Sequence, residues 1–501
     1  MQNSNTPSAT QSTSADVTVV GAGASGLYTA LCAAREGARV ALVSATPLAE
    51  SSSWWAQGGL AAALSAHDSP ELHLRDTVIA GRGAVRESAA RILCEEAPEA
   101  VSDLTRLGMR FDADHGGHLA LGLEGGHSIR RIVHAGGAAT GRRLVRQLSA
   151  VVAEHPGIDV LEGARVVQLL VDPAAERCVG ARLDDGRAIV SRAVVLATGG
   201  AAALWSRTTN PTGAVGAGLL LAFAAGAALA DLELVQFHPT AVAGANGADG
   251  FLVTEAVRGE GARLLDARGE RFVDELAPRD EVARAVQRQL AVHGAASVDL
   301  DMRDVDPALF PNVVSALREA GIDPERQLVP VAPAAHYVMG GIATDLDGRA
   351  TLQGLHAVGE CSCTGLHGAN RLASNSLTEC FVFGARAGRS ALTQPAPSRA
   401  AVAEATQSAV TRTAAARPPA VTQASRAALW RHAGLERNAA GLRELARDEH
   451  PLVRLIALSA LARTESRGAH ERTDFPERDP AFELGHVTVR PGSEPAVETW
   501  T

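Results

Sequence analysis

The 501-residue chain contains no lysine: all 47 of its basic residues are arginine. A catalytic Schiff base on a lysine amine and a Walker-type phosphate lysine are both excluded. Aromatic residues make up only 3% of a chain that is 46% hydrophobic, so Ala, Val and Leu must build the core. The six cysteines, Cys32, Cys94, Cys178, Cys361, Cys363 and Cys380, form no C-x-x-C pair and no framework spacing. They point to reduced thiols in a cytoplasmic protein, and to no metal centre, because no second ligand pair accompanies Cys361 and Cys363. A net charge of -9 lacks the basic field of a nucleic-acid binder. Residues 1–15 lack the apolar stretch of a signal peptide and read as a disordered tail. The longest apolar run, residues 213–230, barely reaches membrane-spanning length. Its four glycines and many alanines predict a buried, closely packed helix, so no membrane association is expected.

What the chain does have is glycine at the ends of apolar runs. D-V-T-V-V (16–20) enters Gly21-Ala-Gly23-Ala-Ser25-Gly26. A helical pattern to about Glu36 follows, then A-R-V-A-L-V-S, which is a βαβ opening. R-A-V-V-L-A-T-G-G ends at Gly199 and Gly200, and L-H-A-V-G-E ends at Glu360. Strands this far apart in sequence imply one nucleotide-binding domain with a large insertion, from about Asp231 to about Gly340. Residues 393–425 are rich in Ala, Pro, Ser and Thr and read partly as a linker. Apolar residues recur at helical spacing from about Ala427 to Ser466, and the last twenty or so residues look irregular.

In G-x-G-x-x-G the first glycine permits a tight turn and the second lets the backbone approach a pyrophosphate. The third packs helix on strand, while the helix N-terminus favours the phosphate charge. The carboxylate that usually ends the second strand is replaced by Ser44, which leaves NAD, NADP and FAD open on this motif alone. Glu360 favours FAD through a second hydroxyl contact. Ser51, Ser52, Gln57, Gly58 and Gly59 supply small residues and backbone donors to line a flavin. The loop 361–376 adds His367, Asn370, Arg371, Ser374 and Asn375, so cofactor and substrate are expected to meet there.

Together G-A-G-A-S-G, W-A-Q-G-G, L-A-T-G-G, Q-F-H-P-T, T-E-A-V-R-G-E-G, A-P-R-D, A-H-Y-V-M-G-G-I, H-G-A-N-R-L-A-S-N-S and S-R-G-A-H-E-R-T-D-F-P-E-R-D resemble the succinate dehydrogenase, fumarate reductase and L-aspartate oxidase flavoprotein family, in its order and from about residue 16 to 480. The resemblance implies an α/β fold. A Rossmann-like FAD-binding domain (16–231 and 341–392) carries an inserted α+β capping domain (232–340). A linker-like segment (393–425) and a C-terminal helical domain (426–501) follow the tail at 1–15. Three positions distinguish the members. Ser52 stands where respiratory members attach FAD through a histidine, so FAD is expected to be non-covalent. Glu124, in E-G-G-H-S, replaces an aromatic residue and suits a substrate ammonium. Ser374 stands where respiratory members usually have glycine or alanine. All three favour the amino-acid-oxidising members over a soluble fumarate reductase or succinate dehydrogenase-type flavoprotein.

The resemblance further implies a dicarboxylate site. Arg371 takes one carboxylate bidentately, His238 and His336 donate to carboxylate oxygens, and Glu124 holds the α-ammonium. Gln236, Thr254, Glu255 and Ser374 are expected to contact substrate. Gly21, Gly23, Ser25, Gly26, Ser44, Ser51, Ser52, Gln57, Gly58, Gly59, Thr198, Gly199, Gly200, Glu360, Asn375, Ser376 and Leu377 are expected to hold FAD. Arg279 is awkward as a base, given its high pKa, and better suited to stabilising developing charge; Arg258 anchors or tunes it. The implied reaction is oxidation of L-aspartate to iminoaspartate with oxygen or fumarate as acceptor. It would be the first step of de novo NAD synthesis, with quinolinate synthase as a partner that takes the product.

Overall fold

The computed structural model describes residues 12–48, 51–244, 247–412 and 420–501. Val17–Val20 lies at the centre of a five-stranded parallel sheet. Its order is Leu355–Ala357, Ala193–Leu196, Val17–Val20, Val40–Ser44 and Ile158–Glu162. The three central strands are buried along their whole length and apolar except at Thr18 and Ser44, because both faces of the sheet are covered. On one face, helix Ala24–Arg35 packs against Asn375–Leu392. The approach is close at Gly384 and Gly388, where a Cβ would meet the Thr29 hydroxyl and carbonyl oxygens, each at 3.0 Å. The other face meets an antiparallel layer, Val166–Asp172, Arg177–Leu183 and Ala188–Val190, through Val20, Val43, Leu169, Ala181 and Ile189.

The insertion forms its own sheet, in the order Val235–Val242, Val329–Val338, Val298–Asp301 and Arg263–Leu265, all antiparallel. Helices Arg279–His293 and Pro311–Glu319 cover it, and Leu264, Val286, Leu300, Val313, Leu317 and Val331 share a separate core. The chain enters this cap after Leu229–Ala230 and leaves it into Gly341–Ala343. These two short strands pair with each other, and Gly485–Val489 pairs with the first of them. Helices Gln423–His432, Ala439–Leu445 and Pro451–Ala462 precede that strand.

Several expectations change on contact with this architecture. Within the stretch read as a tail, Ser12–Ser14 pairs in parallel with Ala188–Val190; residues 1–11 lie outside the described residues. Within the linker-like stretch, Arg399–Arg412 is a helix, and its Ala405 is buried against Leu170, Val179 and Ala188. Residues 413–419 lie outside the described residues. The final twenty residues are not irregular: Gly485–Val489 and Ala496–Thr499 form an antiparallel pair. The apolar run 213–230 yields only a nine-residue helix, Ala217–Ala225, bounded by Gly216 (φ 71°) and Gly226 (φ 110°). Two left-handed glycines stop the helix at both ends, and the remainder becomes the strand Leu229–Ala230. Among the described residues no helix is long and apolar enough to cross a membrane.

Candidate active site

A cavity of about 1620 Å³ runs from the C-terminal ends of the parallel strands to the underside of the cap. It exceeds the range of roughly 300–1,000 Å³ typical of small-ligand pockets, as a dinucleotide with a second ligand requires. At its deep end the chain turns at Gly21 (φ 108°), where a Cβ would meet the Ala197 carbonyl oxygen at 2.2 Å, so no other residue fits there. Helix Ala24–Arg35 begins after Gly23 with no side-chain cap, which leaves its N-terminus suited to a phosphate. Ser53 Oγ accepts from the Ala24 amide at 3.1 Å. Gly21, Gly23, Ser25, Ser44, Ser51, Ser52, Gln57, Gly58, Gly59, Thr198, Gly199, Glu360, Ser376 and Leu377 all line the cavity. Ser51 Oγ, Gln57 Oε1 and Thr198 Oγ1 are buried without a hydrogen-bond partner. A buried polar atom of this kind is costly unless a ligand completes it. The residues present therefore fit FAD.

Three residues expected at the cofactor lie behind it. Gly26 packs the helix on the strand, with its Cβ position 1.9 Å from the Gly21 carbonyl oxygen. Gly200 makes room for Glu360, whose Oε1 would lie 2.0 Å from a Cβ there. Asn375 bonds His73 Nε2 at 2.8 Å and Thr77 Oγ1 at 3.1 Å, so it ties its helix to Pro70–Ala80. Glu360 is pushed up to about 7, chiefly by burial, against an opposing hydrogen bond from the Val338 amide. Ser44 does line the cavity, but its hydroxyl donates to the Thr46 carbonyl at 2.6 Å. The wall beside it comes from Val166, Val167 and Gln168 and from Leu220, Leu221 and Phe223 of the short helix, none of which carried a motif.

At the other end Glu124, His238, Thr254, Glu255, Arg279, His336, Arg371 and Ser374 meet around one wall. Both arginines are drawn together by Gln236, whose Oε1 accepts from Arg279 Nη1 at 3.1 Å and from Arg371 Nη2 at 3.0 Å. Its Nε2 donates to Asn370 Oδ1 at 3.0 Å and to the Arg371 carbonyl at 2.8 Å. Gln236 is thus a clamp behind the arginines and is absent from the cavity wall. Arg279, the first residue of its helix, donates through Nε to Glu255 Oε2 at 2.5 Å. Glu255 Oε1 accepts from the Gly125 amide at 3.0 Å, at a spot where a Gly125 Cβ would lie 2.1 Å away. Arg258 is buried against Glu255 at 3.5 Å and donates to the Glu275 carbonyl.

The charge states follow from these contacts. His238 is held well below its ordinary value by burial first, then by Arg279, His336, Arg258 and Arg371, so it is neutral. The Thr240 amide donates to its Nδ1 at 3.3 Å, which places the proton on Nε2, and Nε2 has no partner. His336 is likewise neutral, by burial and then by Arg279 and Arg371, and its Nδ1 contacts Thr209 Oγ1 at 2.7 Å. Arg371 Nε is unpartnered, and its guanidinium lies 4.7 Å from the centre of the Tyr337 ring. Burial opposes the charge of Glu124, but His134, the Ser374 hydroxyl and Arg279 outweigh it and bring the carboxyl down to about 2. Ser374 Oγ donates to Glu124 Oε2 at 2.7 Å and accepts from the Gly59 amide at 3.2 Å, while Glu124 Oε1 has no hydrogen-bond partner. Three guanidinium groups, of Arg258, Arg279 and Arg371, against two carboxylates, of Glu124 and Glu255, leave this cluster with an excess of basic groups. The sequence reading missed Thr209, Tyr337 and His134. Tyr337 lies inside A-H-Y-V-M-G-G-I, while Thr209 and His134 lie outside the matching segments, and a lone Thr, Tyr or His carries no signal of its own.

Comparison with known proteins decides the family. A family model described as an FAD binding domain matches residues 16–377, and one described as the fumarate reductase flavoprotein C-terminus matches 447–499. The L-aspartate oxidase of Caulobacter vibrioides is 46% identical, over 96% of this chain and 97% of that one. The chain belongs to the L-aspartate oxidase family. The L-aspartate oxidase of Agrobacterium fabrum is 44% identical over 92% of this chain and 91% of its own. Among solved structures, the E. coli quinol fumarate reductase FrdA aligns with a TM-score of 0.88 at 29% identity, covering 97% of this chain and 96% of that one. The Mycobacterium smegmatis Sdh1, in complex with UQ1, aligns at 0.82 with 32% identity, over 97% and 93%. This chain thus shares its fold with these two proteins, and FAD is the cofactor that the matched domain binds.

Proposed function

We propose that this chain oxidises L-aspartate to iminoaspartate with FAD. The observation that carries the reading is the pairing of an ionised, half-satisfied Glu124 with a set of unfinished donors, Arg371 Nε and His238 Nε2, in the same cavity. Arg371, His238 and His336 bind the two carboxylates of the substrate, and Glu124 Oε1 accepts from its ammonium. The positive cluster complements a substrate with two carboxylates and one ammonium. Arg279, fixed by Glu255 and Gln236, stabilises the negative charge that leaves Cα with the hydride. Bound FAD would supply the acceptor for the Cα hydride while the ammonium gives up a proton, and oxygen or fumarate would be the final acceptor. Ser51, Gln57 and Thr198 hold the cofactor with the glycine turn. Ser52 leaves no histidine for covalent attachment, so acid precipitation of the holoprotein is expected to release all the flavin into the supernatant. Residues 232–340 act as a lid that carries His238, Thr254, Arg279 and His336 onto the substrate and excludes water. Because an imine hydrolyses in water, the product is best consumed at once, and quinolinate synthase in the cytoplasm, on the route to NAD, is the partner.

Hydrogen peroxide release with L-aspartate, D-aspartate, L-glutamate and succinate tests the reading. L-Aspartate alone is expected to support rapid release. Turnover with succinate and none with L-aspartate would replace it by a soluble succinate-oxidising or fumarate-reducing flavoprotein.

A further inference from the structure

Glu124 is only 2% exposed, and a carboxyl in that setting accepts from an ammonium only if it stays ionised and points the right oxygen outward. Ser374 accounts for Oε2. Beside Oε1 stands His134 Nε2, at 3.5 Å, a close electrostatic contact longer than a good hydrogen bond. His134 follows strand Ile132–Val133, which pairs with Leu121–Gly122 just before Glu124. Its ring lies over Gly122, where a Cβ would meet Cε1 at 2.8 Å, so the missing side chain of Gly122 is what admits the imidazole. The other nearby carboxylate, Glu255, is already engaged by Arg279, Arg258 and the Gly125 amide.

We propose that His134 is a positioning residue for ammonium recognition. Seated on Gly122, it fixes the orientation of Glu124 so that Oε1 is presented to the substrate amine. The assignment rests on the L-aspartate reading. It makes His134 act through Glu124 alone, so it bears on substrates that carry an amine and leaves succinate untouched.

The test compares wild type, His134→Leu, His134→Gln and Gly122→Ala as FAD-loaded proteins. KM for L-aspartate comes from peroxide release, and the Kd of succinate comes from the perturbation of flavin absorbance. His134→Leu is expected to raise the KM for L-aspartate about 10-fold, the scale of one interaction with a charged group, with succinate affinity within about twofold of wild type. Gly122→Ala, which keeps the imidazole but displaces it, is expected to do the same. His134→Gln, which restores an N–H donor, is expected to recover most of the loss. An unchanged KM in both His134→Leu and Gly122→Ala, or an equal weakening of succinate, overturns the assignment. Should His134→Leu fail to fold, Gly122→Ala and His134→Gln decide it. Wild-type protein that gives no turnover with L-aspartate breaks the functional reading itself, a result distinct from normal wild-type turnover with indifferent variants.

Discussion

Two buried arginine clusters lie in this protein, and they are finished to different degrees. In the C-terminal region Arg463 donates to Glu233, Glu465 and the Gly485 carbonyl, so each of its three nitrogens has a partner. Arg467 is equally complete, with Glu465, Glu483 and the carbonyls of Arg82 and Asp479. In the cavity, Arg371 Nε, His238 Nε2 and Glu124 Oε1 are left over, and Arg258 keeps Nε and Nη2 without hydrogen-bond partners. A buried charge without partners is costly, and a ligand in the cavity would offset that cost. The more complete cluster joins segments of the fold, and the less complete one lies where the proposed reaction would take place. The C-terminal cluster is not wholly closed, since Glu233 Oε2 and His486 Nε2 also lack partners. Glu233 is pushed up to about 7 by burial, so it gives up its charge more readily than Glu124 does.

The contrast can be broken most sharply at Arg371. Replacing it by Leu is expected to lower kcat/KM for L-aspartate on the order of 10³-fold, because a substrate carboxylate then enters the cavity unpaired. The melting temperature, measured alongside, should hold or rise. Arg463→Leu should reverse that pattern. Stranding Glu233 and Glu465 costs about 3–5 kcal/mol of stability in a denaturant titration, while KM in the folded protein is kept. If Arg463→Leu lost turnover without losing stability, the assignment of the two clusters to different tasks would fall. Glu124→Gln is a milder intervention. KM for L-aspartate is expected to rise about 10- to 30-fold while succinate still binds, as titration against flavin absorbance would reveal.

The smallest effect concerns pH. Glu124 falls from an ordinary 4.5 to about 2 in the fold. A depressed carboxyl stabilises the fold above its unfolded value, and that contribution is lost as pH falls from about 4.5 towards about 2. The stability gap between wild type and Glu124→Gln, followed by thermal melting, should therefore narrow as the buffer is taken from pH 5 to pH 3. A gap that stays constant over that span would mean that Glu124 is not held ionised.

The sequence made the cofactor turn legible because G-A-G-A-S-G couples backbone geometry to residue type, and Gly21 tolerates no side chain. The arginines and histidines of the site were legible only through a family pattern. Their neighbours were not. Gln236 reads as a substrate contact in sequence, but a long amide can as easily reach sideways to two guanidinium groups as forward to a ligand. Apolar content alone overextends the short helix Ala217–Ala225, because Gly216 and Gly226 take positive φ values that end it. The last strands escaped notice because V-T-V and A-V-E-T are short, and their pairing is set by partners more than two hundred residues away or across a tight turn. Hydrophobic periodicity reports burial along one element and is silent about which distant backbone that element will join.

That last strand has a mechanical consequence. Gly485–Val489 is laced by backbone hydrogen bonds to Leu229–Ala230, which pairs in turn with Gly341–Ala343, so both crossings into the cap share one ladder with the end of the chain. A swing of the cap would therefore turn about a stitched seam rather than on two free threads. Twisting the seam is cheap and parting it is not. The travel of the proposed lid would be limited by a leaf of polypeptide that does not line the cavity.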